Sequence, residues 1–148
     1  MCQLGMRVRR SNFAVALLFM LAAPAVAKEP DIHGHWSGTF RSKHFHIAPF
    51  TLALDIDTAE VPGHRGHKLG RLGKNSGPAY CLSGDVNLDI DRQGSNVVIA
   101  GTNGTGDTIS LVGTIDPTGN MMTLNYVTNG SISGKCESDD GVATLEKK

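Results

Sequence analysis

The chain has 148 residues, of which 40% are hydrophobic, 19% charged and only 5% aromatic, and its 14 basic and 14 acidic side chains balance. That length supports one domain. The balanced charge argues against general nucleic-acid binding, and 18 glycines with few helix-forming runs argue against a helical bundle.

The first element in chain order is a leader. Arg7, Arg9 and Arg10 precede an apolar run from Phe13 to Ala23, and Ala25-Val26-Ala27 is a small-x-small cleavage site. This is the layout of a secretory signal peptide, 1–27, cut after Ala27. The apolar run is too short to span a bilayer comfortably, and Pro24 and Lys28 close it, so no membrane anchor is expected after cleavage. The remaining chain, 28–148, is expected to be a single secreted or periplasmic domain. It carries 11 basic and 14 acidic residues, a net of −3, and two cysteines, Cys81 and Cys136. An even pair in an exported protein suggests a disulfide. Closing so long a loop stabilises a fold by about 4 kcal/mol in the chain-entropy model.

Beyond an extended lead-in from Lys28 to Ile32, alternation at period two recurs. Trp36 and Phe40 share a face, as do Leu52, Leu54 and Ile56. Val86, Leu88 and Ile90 follow, then Ile109, Leu111 and Ile115, then Met122, Leu124 and Tyr126. Strands of this kind bury one face and wet the other, as antiparallel sheets do. Turn chemistry separates them: Asp91-Arg92-Gln93-Gly94, Asn103-Gly104-Thr105-Gly106, Asp116-Pro117-Thr118-Gly119-Asn120 and Asn129-Gly130. The segment 57–79 differs, with five glycines, two prolines, four basic residues and two histidines. It reads as a long glycine-rich basic loop. The expected fold is all-β, an antiparallel meander of seven to nine strands closed or nearly closed into a small barrel. Closure removes the edges, and sequential hairpins favour a barrel over a sandwich.

Gly34-His35-Trp36-Ser37-Gly38 resembles the Gly-x-Trp opening strand of lipocalins and avidins. The later segments Ser83-Gly84, Gly113-Thr114-Ile115-Asp116 with Gly119, Asn125-Tyr126 and Cys136…Gly141-Val142-Ala143-Thr144-Leu145 resemble small exported bacterial β proteins that end on a cysteine-tethered strand. The resemblance implies a barrel in which the tryptophan plugs one end. Where lipocalins set an arginine against that tryptophan, the last strand offers only Lys147 and Lys148. The Thr-Asp-Tyr signature of lipocalins and the aromatic set of a biotin site are absent. The resemblance therefore implies an architecture and no ligand.

All six histidines lie between positions 33 and 67. His33 and His35, like His44 and His46, have the i, i+2 spacing that puts two rings on one face of a strand. Imidazole suits zinc or copper, so these four are the candidate metal ligands, with His64 and His67 as further ligands from the loop. Both pairs fall opposite neighbouring apolar side chains, which predicts a surface site. The cations Arg65, Lys68, Arg71 and Lys74 recur every three residues, but Gly66, Gly70 and Gly73 forbid a basic helical face. Gly70-Arg71-Leu72-Gly73-Lys74 lacks the hydroxyl residue of a phosphate loop. Asp89-Ile90-Asp91-Arg92-Gln93-Gly94 lacks the closing glutamate of a calcium loop.

No positioned acid, base and nucleophile emerges, so an enzyme is not expected. The leading expectation is a non-enzymatic barrel module that binds a small apolar ligand or a protein partner at one barrel end. Trp36, Phe40, Leu52, Leu54, Tyr80 and Tyr126 are the candidate lining. The alternatives are a periplasmic divalent-metal-binding protein using the histidines, and a secreted inhibitor whose basic loop meets an anionic partner.

Overall fold

The computed structural model describes residues 28–45, 49–77, 82, 86–134 and 136–148. His46, Tyr80, Cys81 and the leader 1–27 lie outside the described residues. Eight strands follow one another: β1 (Gly34–Ser42), β2 (Phe50–Glu60), β3 (Lys68–Leu72), β4 (Asn87–Gln93), β5 (Asn96–Thr102), β6 (Thr108–Ile115), β7 (Met121–Asn129) and β8 (Asp139–Lys147). Each pairs antiparallel with the next, and β8 returns to β1 with Trp36 opposite Lys147 and Phe40 opposite Ala143. The sheet is thus a closed barrel in sequence order, each strand paired with a neighbour on both sides.

Alternation explains the strands. Along β7, Met122, Leu124, Tyr126 and Thr128 are buried, while Met121, Thr123, Asn125 and Val127 are exposed. The inward residues of all eight strands merge into one core, joined by Ile32 from the lead-in. Gly38 lies on that inward face between Trp36 and Phe40. A Cβ there would stand 1.9 Å from the Thr144 carbonyl oxygen, so this glycine lets β8 cross close over β1.

The expected long loop over 57–79 is corrected by the structure. β2 runs on to Glu60, and Lys68–Leu72 forms the short strand β3 between β2 and β4. Its alternation is hidden because the inward position is Gly70. A Cβ at Gly70 would meet the Ile90 side chain at 2.5 Å and the Asp55 carbonyl oxygen at 2.7 Å. The barrel is too tight there for a side chain, and the glycine that reads as a loop signal belongs to a strand.

The antiparallel order gives the barrel two distinct ends. Trp36, the β2–β3 turn, the β4–β5 and β6–β7 hairpins and the lead-in gather at one. Tyr126, Ser42, Asp139 and the connections after β1, β3, β5 and β7 gather at the other.

Candidate functional site

The lead-in crosses the Trp36 end as a strap. Three successive carbonyls of the strap accept hydrogen bonds from inward-facing side chains of three different strands. Arg92 Nη1 on β4 donates to Pro30, Lys147 Nζ on β8 to Asp31 at 2.8 Å, and Trp36 Nε1 on β1 to Ile32 at 2.8 Å. The Lys147 ammonium also stands 5.9 Å from the centre of the Trp36 ring, a cation–π distance.

Beside the strap opens a cleft of about 550 Å³. Lys28, Glu29 and Pro30 form one wall. Arg92, Gly94 and Ser95 from the β4–β5 hairpin and Thr114 to Pro117 after β6 form the other. Most of the surface it presents is apolar. Asp116 turns its carboxylate back into its own hairpin, where it accepts from Thr118, Asn120 and Met121. Those donors hold its carboxyl below the usual carboxylate range, the Thr118 hydroxyl foremost.

The described members of the sequence-expected lining lie inside the barrel, away from this cleft's walls; Tyr80 is outside the described residues. Trp36, Phe40, Leu52, Leu54 and Tyr126 are all buried in the single core. The Phe40 and Tyr126 rings meet edge to face at 4.9 Å, and Phe40 packs on Phe50 at 5.3 Å. Tyr126 Oη donates to Asp139 at 2.6 Å, and Ser42 Oγ donates to the other oxygen of the same buried carboxylate at 2.6 Å. Burial, and then the hydrogen bond to Asp139, push the Tyr126 phenol far above its ordinary value. Cys136 packs partly buried against the core, while its expected disulfide partner Cys81 lies outside the described residues.

The described members of the four-histidine set are not brought together. His33 and His35 flank the start of β1, whereas His44 follows its last residue, Ser42. The strand between spans roughly 25 Å, so one ion cannot be shared. His44 is exposed as expected, but it stands beyond the strand because β1 stops at Ser42. There Ser42 Oγ accepts from the backbone N–H groups of His44 and Phe45 and turns the chain. Each described histidine instead meets an aspartate: His33 with Asp31, His35 with Asp55 at 2.7 Å, and His44 with Asp140 at 2.5 Å beside Lys43.

The remaining two histidines share one carboxylate. His64 Nδ1 and His67 Nδ1 each lie 2.6 Å from an oxygen of Asp89, and the rings meet edge to face at 5.4 Å. Burial opposes ionisation of Asp89, but hydrogen bonds and charge from His67 and His64 outweigh it and leave the carboxyl below its usual range. The repeated Gly-His spacing, Gly63-His64 and Gly66-His67, is the sequence signal for this pair. Nothing local to either histidine names Asp89, which comes from β4. No protein-family model matches this chain, and no curated protein matches it either.

Proposed function

We propose that this is an exported, non-enzymatic, lipocalin-like barrel module, closed by a Cys81–Cys136 disulfide, that binds a small amphipathic anion at the Trp36 end. The observation that carries the reading is the cleft between the strap and the two hairpins. Its apolar floor of Pro30, Ile115 and Pro117 suits a hydrocarbon body of limited size. Lys28 and Arg92 bring two cations to its walls against Glu29 and Asp116, of which Asp116 turns its carboxylate into its own hairpin. Cleavage after Ala27 adds a free α-amino group at Lys28, a further positive charge on the Lys28 wall.

Titration calorimetry on tag-free residues 28–148 tests this with decanoate and with decylammonium, which share a chain and differ in charge. Decanoate should bind at least about 10-fold more tightly. The variant Ser95→Trp, which fills the cleft from an exposed hairpin position, should abolish that binding. Equal affinity for the two probes, no decanoate binding, or an unaffected Ser95→Trp variant overturns the proposal.

A further inference from the structure

The geometry points to a site for a divalent transition-metal ion at His64, His67 and Asp89, on the outer wall of the barrel and independent of the cleft. The local backbone is built to present the two histidines. Val61-Pro62-Gly63-His64 and His64-Arg65-Gly66-His67 are successive tight turns, closed by His64 N–H to Val61 O at 3.0 Å and His67 N–H to His64 O at 3.1 Å. Each carries a glycine in its third position, with φ of 84° at Gly63 and 85° at Gly66, the left-handed conformation a type II turn requires there. Pro62 pre-sets the second position of the first turn. Val61 N–H then donates to His67 O at 3.0 Å and ties both ends of the double turn. Two histidines three residues apart are thus held at the last position of consecutive turns, both aimed at β4.

Asp89 meets them from a paired strand, with Leu69 of β3 opposite it in register. One donor atom from each of the three residues lies within 4.8 Å of the others. In a tetrahedral zinc site with bonds of about 2.0–2.1 Å, neighbouring donors sit roughly 3.3–3.4 Å apart. To admit the ion, a carboxylate oxygen now 2.6 Å from a histidine Nδ1 must open by roughly 0.7 Å. Asp91, two residues along the same face of β4, places Oδ1 3.8 Å from Nε2 of His67. With Nδ1 on the metal, the opposite ring nitrogen faces this carboxylate, the arrangement that fixes the tautomer and raises the basicity of a ligating histidine.

The donor set selects the class of ion. Two imidazoles and one carboxylate suit zinc, nickel or copper, whereas calcium and magnesium demand oxygen-rich shells. His67 and Asp89 are about two-thirds shielded, with side-chain exposures of 33% and 29%, so the ion exchanges only part of its hydration. Asp89 and Asp91 together offset its two positive charges. Lys68, adjacent in sequence, directs its ammonium away to the Thr58 carbonyl at 3.0 Å. Three protein donors leave a coordination position open to solvent or to a fourth ligand.

Calorimetric titration of the tag-free protein with Zn²⁺ alone, with Ca²⁺ as control, tests the site. One zinc per chain should bind, and calcium should not. His64→Ala/His67→Ala and, separately, Asp89→Asn should each weaken zinc by about 100-fold. His33→Ala/His35→Ala/His44→Ala should leave it unchanged. Far-UV circular dichroism and a melting curve on each variant confirm that the barrel is intact, as expected for changes outside the core. Absence of zinc binding, retention of it in either site variant, or its loss in the triple variant overturns the assignment.

Discussion

The two ends of the barrel are closed by opposite means. At the Trp36 end the closure is an apolar ring under a backbone strap, and the polar groups are donors reaching outward from the mouth: Trp36, Lys147 and Arg92, each onto a strap carbonyl. At the other end two buried carboxylates act as acceptors. Asp139 takes hydrogen bonds from Ser42 and Tyr126, and the fully buried Asp107 takes them from Asn103, Thr105 and the Ser131 backbone. Peptide carbonyls crossing a barrel mouth need donors, while turns rich in N–H and hydroxyl groups need acceptors, and each end supplies what the chain above it lacks. A strap held by three side chains can shift without unfolding the sheet. A buried carboxylate bonded across β1, β7 and β8 cannot. The strapped end is the one at which the proposed ligand site lies, and the carboxylate end is tied across three strands.

The largest effect should come from removing the plug. Trp36→Ala empties a fully buried site and strands the Ile32 carbonyl, and should destabilise the barrel by about 3–5 kcal/mol in urea unfolding followed by circular dichroism. A loss below about 1 kcal/mol would show that the strap, and not the indole, closes this end.

Tyr126→Phe probes the opposite end and is expected to cost about 1–2 kcal/mol near neutrality, since Asp139 stays buried with one donor fewer. The same substitution has a pH signature. Burial and Asp139 raise the folded pKa of Tyr126 above its unfolded value of 10.0, so the phenol's contribution is fully present below pH 10. It is lost as pH climbs from there towards the folded pKa. The stability gap between wild type and Tyr126→Phe should therefore narrow above about pH 10 and stay constant from pH 7 to 9. A gap that does not narrow would mean that the hydroxyl is not shut in with the carboxylate.

The smallest effect belongs to the strap. Lys147→Met keeps the aliphatic stem but removes the ammonium from Trp36 and from the Asp31 carbonyl, for a loss of about 0.5–1 kcal/mol. Hydrogen exchange should speed at the lead-in amides around residues 31–33 and leave β7 protected. Equal acceleration in both would erase the distinction between the two ends.

Much of the barrel was legible because its causes are local. Met122, Leu124 and Tyr126 alternate with polar neighbours, and the hairpins carry their own turn residues, so strand faces and their order follow without tertiary knowledge. β3 escaped because close packing in the barrel put Gly70 where the alternation needed a large residue. The separation of His33 and His35 from His44 was hidden for a different reason. Spacing shows that His33 and His35 share a face, but not that β1 ends at Ser42 and leaves His44 at the far end.

The amino-acid order by itself determined an all-β meander, an inward tryptophan on the first strand and a histidine-rich first half. Each is written in periods of two or in turns of a few residues, over which the chain interacts with itself whatever the fold. Only the closed barrel decided that Asp89 stands before His64 and His67, that Ser42 shares Asp139 with Tyr126, and that Lys147 covers Trp36. Those partners lie 22 to 25, 13 to 97 and 111 residues apart in the sequence. Pairing β8 back onto β1 and folding the double turn over β4 brings them within a few ångströms, and strand register, which no local pattern encodes, selects which side chain meets which.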